Sequence, residues 1–311
     1  MVERLRLEHV LEAQQFSLDM LGDLFSMADN MRDHPRLLAK ALEGRIVATL
    51  FYEPSTRTRL SFESAMLRLG GQVISTENAK EFSSAIKGES IEDTARVIAG
   101  YADAIVMRHH EEGAANLAAS VSPVPIINAG DGKGQHPTQA LLDVYTIHRE
   151  LGRVEGVKVA MVGDLASGRT VRSLSYLLGK FKEVDITFVS PEHLRMRDDI
   201  KEYLSRHGTT YWESDDFAQV LPRMDVVYMT RIQKERLSPQ EYAAAKGRFV
   251  IDQGNLGLVR PDARVLHPLP HVEEIDLPLS VEQHDPRIAY FRQSQNGVFV
   301  RMALLYSLLA D

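Results

Sequence analysis

Cysteine is absent from this chain of 311 residues. Disulfides, thiolate nucleophiles, zinc–cysteine sites and iron–sulfur ligation are therefore excluded, and a cytoplasmic setting is expected. No stretch is long and apolar enough to span a bilayer, and the opening Met1-Val2-Glu3-Arg4-Leu5-Arg6 lacks the apolar core of a secretion signal. Basic excess is missing as well: the formal net charge is -7, and no basic face or tail offers itself to nucleic acid. There is no H-E-x-x-H pair and no carboxylate-rich metal loop, so no metal is expected. Neither a repeat of solenoid period nor a low-complexity tract appears. What remains is an ordinary globular composition, 44% hydrophobic and 25% charged, in a chain longer than one core usually holds, so two domains are expected.

Short apolar runs alternate with helix-like segments throughout. The expected strands are Ile46–Phe51, Val73–Ser75, Ala104–Met107 and Pro125–Asn128, then Val157–Val162, Ile186–Val189, Val226–Met229, Phe249–Ile251 and Val265–Leu266. This alternation predicts an α/β protein of two domains, each a parallel β-sheet flanked by helices. The helix-like segment Ala140–Leu151 separates the two sets. A final apolar helix, Gly297–Leu309, could pack on either domain. Ligands of open parallel sheets lie beyond the carboxyl ends of the strands, and every motif below follows a strand, so the active site is expected in the cleft between domains.

The richest motif is Phe51-Tyr52-Glu53-Pro54-Ser55-Thr56-Arg57-Thr58-Arg59. It runs from a buried strand through a proline turn into a helix with Phe62, Ala65, Met66 and Leu69 on one face, ending at Gly70-Gly71. Hydroxyls and a guanidinium at a helix N-terminus suit an anion, because the first backbone N–H groups are free there and the dipole is favourable. The plainer alternative is that Ser55 only caps the helix and the arginines are solvated.

The other motifs are weaker alone. Lys87 is the one cation of the polar loop Ser83–Ser90. Arg108 ends a strand, and His109 and His110 after it are expected to point in different directions. Ala129–Gln139 has a Gly-Lys pair but not the spacing of a P-loop; its glycines shape a turn presenting His136 just before the helix begun by Pro137. Gly163–Thr170 lacks the dinucleotide spacing and puts Arg169 at a helix start. Arg231 and Gln233 follow Met229 and point the same way if the strand continues; a surface pair with Glu235 is the alternative for Arg231. Two such arginines suit a carboxylate-bearing partner. His267-Pro268-Leu269-Pro270 is a stiff turn offering carbonyl acceptors.

Taken together, Ser55–Arg59, His136-Pro137-Thr138-Gln139 and His267-x-Leu269-Pro270 resemble the aspartate/ornithine carbamoyltransferase family, and the similarity runs in order through nearly the whole chain. The match is closer on the aspartate side. Ornithine enzymes carry cysteine in the His-x-Leu-Pro turn, where this chain has Pro268, and an Asp-x-x-x-Ser-Met-Gly segment, where it has Arg231-x-Gln233. The resemblance implies carbamoyl transfer from carbamoyl phosphate to the α-amino group of L-aspartate, the step that serves de novo pyrimidine synthesis. The alternatives are ornithine or another amino acid as acceptor, or a metabolite-binding homologue without catalysis.

The resemblance further implies a carbamoyl-phosphate domain over 1–140, an aspartate domain over 151–291, and a C-terminal helix, about 292–311, packed back on the first. Ser55, Thr56, Arg57 and Thr58 would hold the phosphate. Thr58, Arg108 and His136 would be the catalytic set that polarises the carbonyl, and Gln139 would bind the carbamoyl nitrogen. The carbonyls of Pro268 and Leu269 would orient substrate nitrogens. Arg169, Arg231 and Gln233 would hold aspartate. Ser83 and Lys87 would come from the adjacent subunit of a homotrimer, Lys87 reaching both substrates. No cofactor is implied. Separate regulatory chains occur among relatives. Two places depart from the family pattern: His271 follows Pro270 where many relatives carry arginine, and Leu277–Pro286 matches no motif.

Overall fold

The computed structural model describes residues 7–77 and 88–310. The chain divides into two compact units, residues 1–142 with 295–311, and residues 143–294.

In the first unit, α1 (Leu18–Asp33) precedes β1 (Ile46–Phe51), α2 (Thr56–Arg68), β2 (Gln72–Glu77), α3 (Ile91–Ala99), β3 (Ala104–His109), α4 (Ala114–Ala119), β4 (Ile126–Asp131) and α5 (Pro137–Leu151). The four strands are parallel, in the order β2-β1-β3-β4. Ala48, Leu50, Ile105, Met107 and Ile126 pack with Ala95, Ala115 and Ala118 of the covering helices in one apolar cluster. On α2, Phe62, Ala65 and Met66 are buried and Leu69 just beyond it is too, as the spacing requires. The chain runs outward from β1 to β2 and then returns to the other side of β1, so the strand order reverses between β1 and β3. That reversal opens a crevice at their carboxyl ends.

The second unit contains β5 (Lys158–Val162), α6 (Arg169–Leu178), β6 (Asp185–Val189), α7 (Asp198–Arg206), β7 (Thr210–Ser214), α8 (Phe217–Val220), β8 (Val226–Met229), α9 (Pro239–Ala245), β9 (Ile251–Asp252), β10 (Arg264–Leu266), β11 (Ile275–Asp276) and α10 (Leu279–His284). Its main sheet is parallel, ordered β10-β8-β5-β6-β7, and β9 pairs with β11 beside it. Here the order reverses between β5 and β8. The last helix, α11 (Tyr290–Leu309), begins in the second unit and ends in the first, and α5 crosses the other way.

Several boundaries differ from the sequence reading. Strand β3 continues through His109 and β4 through Asp131, so Arg108 lies inside a strand and the glycine loop starts in one. The rings of His109 and His110 stack at 4.3 Å instead of diverging, because the strand ends between them. Strand β8 stops at Met229, so Arg231 and Gln233 do not share a strand face. Strand β7 was not foreseen.

Candidate functional site

The first crevice is built on the loop between β1 and α2. Ser55 occupies the N-cap position, yet its side chain accepts no capping bond, and the first turn carries no acidic residue. An N-terminal turn leaves N–H groups without intrahelical acceptors, and here nothing of opposite charge on the helix itself satisfies them. The two arginines separate cleanly. Arg59 is tied down: it donates to Ser75 at 3.2 Å and Glu77 at 2.9 Å, and pairs with Glu63 at 3.5 Å. Arg57 is exposed, and partial desolvation, the one cause acting on it, moves its guanidinium down from its ordinary value. Thr58 is buried, at 6% exposure, and faces inward from the same turn.

Across the strand reversal, Arg108 of β3 sits beside this loop. Its Nε is 3.6 Å from Glu53 Oε2, its Nη1 is 3.5 Å from the Ala129 carbonyl, and its own carbonyl accepts the Tyr52 N–H at 2.9 Å. Asp131 shapes the glycine loop that follows β4, accepting N–H groups from Gly113 at 2.9 Å and Gln135 at 2.8 Å. Gly132 has φ 46 and lies so near the chain that a Cβ would stand 2.7 Å from the His110 carbonyl, which explains the glycine there. The loop delivers His136, 3% exposed, directly before Pro137 opens α5. Its Nδ1 lies 3.4 Å from Thr138 Oγ1, and its carbonyl accepts the Gln139 N–H at 3.0 Å. Gln139 is buried one turn on. The first unit thus brings Ser55, Thr56, Arg57, Thr58, Arg108, His136 and Gln139 to the carboxyl ends of β1, β3 and β4. Ser83 and Lys87 lie outside the described residues.

The second crevice flanks the β5–β8 reversal. Gly163, at φ 119, is pressed against Thr230, whose Oγ1 would be 2.6 Å from an added Cβ. Asp164 follows, fully buried. Its carboxylate accepts the Ser167 N–H at 2.9 Å and the Gln233 Nε2 at 3.4 Å. Burial pushes this carboxyl above its ordinary value, against the pull of those bonds and of Arg236. Arg169 opens α6 after Gly168. Arg231 forms the pair that was the alternative for it: Nη1 donates to Glu235 Oε2 at 2.9 Å and Nη2 to the other oxygen. Gln233 turns to Asp164 instead of running parallel with Arg231. Sequence reasoning did not single out Asp164; a carboxylate directly after a strand and a glycine was the available signal.

The turn after β10 is held by buried polar groups. His267 accepts the Leu269 N–H on Nδ1 at 2.8 Å, so its proton sits on Nε2, which faces Glu274 Oε1 at 2.8 Å. Burial pushes the Glu274 carboxyl up, but His267 and the surrounding N–H groups together outweigh it and hold it below its ordinary value. The His267 N–H donates to Gln293 at 2.8 Å, Gln293 donates to Asp143 at 2.6 Å, and Tyr228 donates to Asp143 at 2.7 Å. Leu269 has φ 56 and the Leu269–Pro270 peptide is cis.

Residues 8–149 match the family profile described as aspartate/ornithine carbamoyltransferase, carbamoyl-P binding domain, and residues 155–308 match its Asp/Orn binding domain. The chain is 54% identical to the chloroplastic aspartate carbamoyltransferase of Arabidopsis thaliana, over 99% of this chain and 79% of that one. It is 48% identical to the aspartate carbamoyltransferase catalytic subunit of Methanocaldococcus jannaschii, over 98% and 99%. Among solved structures, aspartate transcarbamoylase of Trypanosoma cruzi with N-(phosphonacetyl)-L-aspartic acid superposes with a TM-score of 0.91 at 41% identity, covering 97% of this chain and 96% of that one. The catalytic subunit of M. jannaschii gives 0.87 at 48% identity, covering 97% and 98%. These relatives correct one expectation. The cytoplasmic setting inferred from composition is overturned by the chloroplastic proteins of Arabidopsis and Pisum sativum at 54–55% identity, since absence of cysteine does not separate two reducing compartments.

Proposed function

Because this chain belongs to the aspartate/ornithine carbamoyltransferase family, we infer that it is an aspartate carbamoyltransferase, converting carbamoyl phosphate and L-aspartate to N-carbamoyl-L-aspartate and phosphate. The observation that carries the reading is the α2 N-terminus, where a serine sits at the cap without capping and Arg57 stands exposed with no acid in the first turn. Such a turn is a formed anion site.

In this reading the N–H groups and hydroxyls of Ser55, Thr56 and Thr58, with Arg57, hold the phosphate. Arg108 bridges phosphate and carbonyl. Thr58, Arg108 and His136 donate to the carbonyl oxygen, and Gln139 binds the carbamoyl nitrogen. Arg169, Arg231 and Gln233 receive the aspartate carboxylates. Glu235 occupies both terminal nitrogens of Arg231, so a substrate carboxylate reaches that fork by displacing Glu235. The carbonyls of Pro268 and Leu269 orient the substrate nitrogens. The neutral α-amine attacks the carbonyl carbon, a tetrahedral oxyanion forms, and the bond to phosphate oxygen breaks as phosphate takes the amine proton. Rate comes from positioning and from fixed donors around the oxyanion, each worth about 10²–10³-fold.

The reading makes the protein a homotrimer, with Ser83 and Lys87 of each site supplied by a neighbour. Strand β2, after which those two residues follow in the chain, is the sheet edge, and Leu60 and Leu67 of α2 are exposed at 49% and 61%. Both features suit a subunit contact on that side. Mixing inactive Lys87→Ala and Arg57→Ala proteins tests it: a shared site regains some activity on reassembly, and a self-contained site regains none.

The function itself is tested by supplying carbamoyl phosphate with aspartate, with ornithine, or with no acceptor, and measuring ureido product. Product with aspartate is expected. Product with ornithine alone would move the substrate assignment, and none with either would leave a binding protein.

A further inference from the structure

The two departures from the family pattern, His271 and Leu277–Pro286, take no part in the reaction above, and the structure brings them together. Helix α10 carries Glu282, whose Oε1 lies 3.2 Å from His271 Nε2. The Tyr290 hydroxyl at the start of α11 donates to the same oxygen. The Glu282 side chain is 10% exposed, so its carboxylate depends on protein donors more than on water. The His271 ring stands edge-on to Tyr290 at 5.3 Å and to Phe291 at 6.3 Å, and lies 6.2 Å from the His267 ring.

The turn between the two histidines is what this contact acts on. At its near end, His267 is locked by Glu274 and Gln293. At its far end, His271 is the only residue with an ion pair among the described residues from 268 to 272. Between them Leu269 adopts a left-handed backbone, a conformation an L side chain keeps only when its surroundings impose it. The other charged neighbours are already engaged: Glu274 by His267, and Glu273 by Tyr242 at 2.7 Å and Lys246 at 3.2 Å. Glu282 is thus the acid that pairs with His271.

We propose that His271 is a positioning residue, whose pairing with Glu282 clamps the far end of the turn and so fixes the Pro268 and Leu269 carbonyls. The inference rests on the role given to those carbonyls above. A hydrogen bond that involves a charged group is roughly twice as strong as a neutral one, so the Glu282 carboxylate holds the His271 ring, and with it the end of the turn, through the 3.2 Å contact.

The test compares kcat for the wild type, His271→Gln, His271→Arg, Glu282→Gln and Leu269→Gly, with melting curves to confirm folding. His271→Gln and Glu282→Gln should lose about ten-fold in kcat, the scale of one hydrogen bond to a charged group. His271→Arg keeps a donor to the Glu282 carboxylate and should recover most of that loss. A His271→Gln protein with wild-type kcat, or a His271→Arg protein no faster than His271→Gln, overturns the clamp. Leu269→Gly separates the two layers. If it loses kcat while the His271 variants do not, only the clamp fails; if it too runs at the wild-type rate, the carbonyl role fails.

Discussion

Replacing Tyr228 with phenylalanine removes one oxygen atom from the interior of the second unit, and the structure says what that oxygen does. Tyr228 and Asp143 are both fully buried, and the phenol donates to Asp143 Oδ2 at 2.7 Å. Burial first, and the neighbouring carboxylate second, push the phenol well above its ordinary value, so it keeps its proton and donates it to Asp143. Asp143 also accepts a bond from Gln293. Without the hydroxyl, a buried carboxylate loses one of its donors. A hydrogen bond to a charged group contributes about 1.5–3 kcal/mol, and an unfilled cavity of one oxygen adds little. The expected loss is therefore about 2 kcal/mol, a fall of roughly 4–8 °C in melting temperature for a unit of this size. Urea unfolding followed by circular dichroism, with hydrogen exchange resolved to β8 and α5, would read it. Exchange should quicken there and not in the first unit's sheet. A variant within about 0.5 kcal/mol of wild type, the range of surface substitutions, would refute the claim that this bond holds the network together.

Other perturbations have equally definite outcomes. Arg57→Ala should lose about 10²-fold or more in turnover while melting with the wild type, because its side chain is exposed; calorimetry beside a product assay separates the two. Gly163→Ala should destabilise by about 3 kcal/mol or more, since φ is 119 and the new Cβ would strike Thr230; thermal melting checks it. Glu150 pairs with Arg264 at 2.8 Å and Arg292 at 2.7 Å, and although burial pushes its carboxyl up, these two arginines hold it below its ordinary value. A depressed carboxyl contributes stability above its unfolded value and loses it as pH falls through the folded one. Glu150→Gln should therefore melt below wild type at pH 7, and the gap should close below about pH 4.

Much of this was legible in the chain because burial leaves a period. Strands β1, β3, β5 and β8 are buried over most of their length and read as mainly apolar runs. Strand β7 escaped because Thr210, Trp212 and Glu213 are exposed at the sheet edge, so Thr-Tyr-Trp-Glu-Ser offers no run to see. Helix α11 starts seven residues before the apolar stretch at Gly297, since its first turns present Arg292 and Gln293 to partners in the second unit. For the site, Ser55–Thr58 stood out because several anion donors follow one strand. Asp164, Glu274 and Glu282 did not, because a carboxylate's role is set by what burial brings beside it. The pair of Arg231 with Glu235, four residues on, is visible in the sequence only as the alternative to a substrate role, while the direction of Gln233 depends on where β8 ends.

The central claim is that the uncapped start of α2 is a phosphate site. A crystal of the protein grown with carbamoyl phosphate measures this directly. The phosphate oxygens should lie about 2.7–3.2 Å from the backbone nitrogens between Ser55 and Thr58, with the Arg57 guanidinium against them. Phosphate density lodged elsewhere, with that turn facing only solvent, would contradict the account.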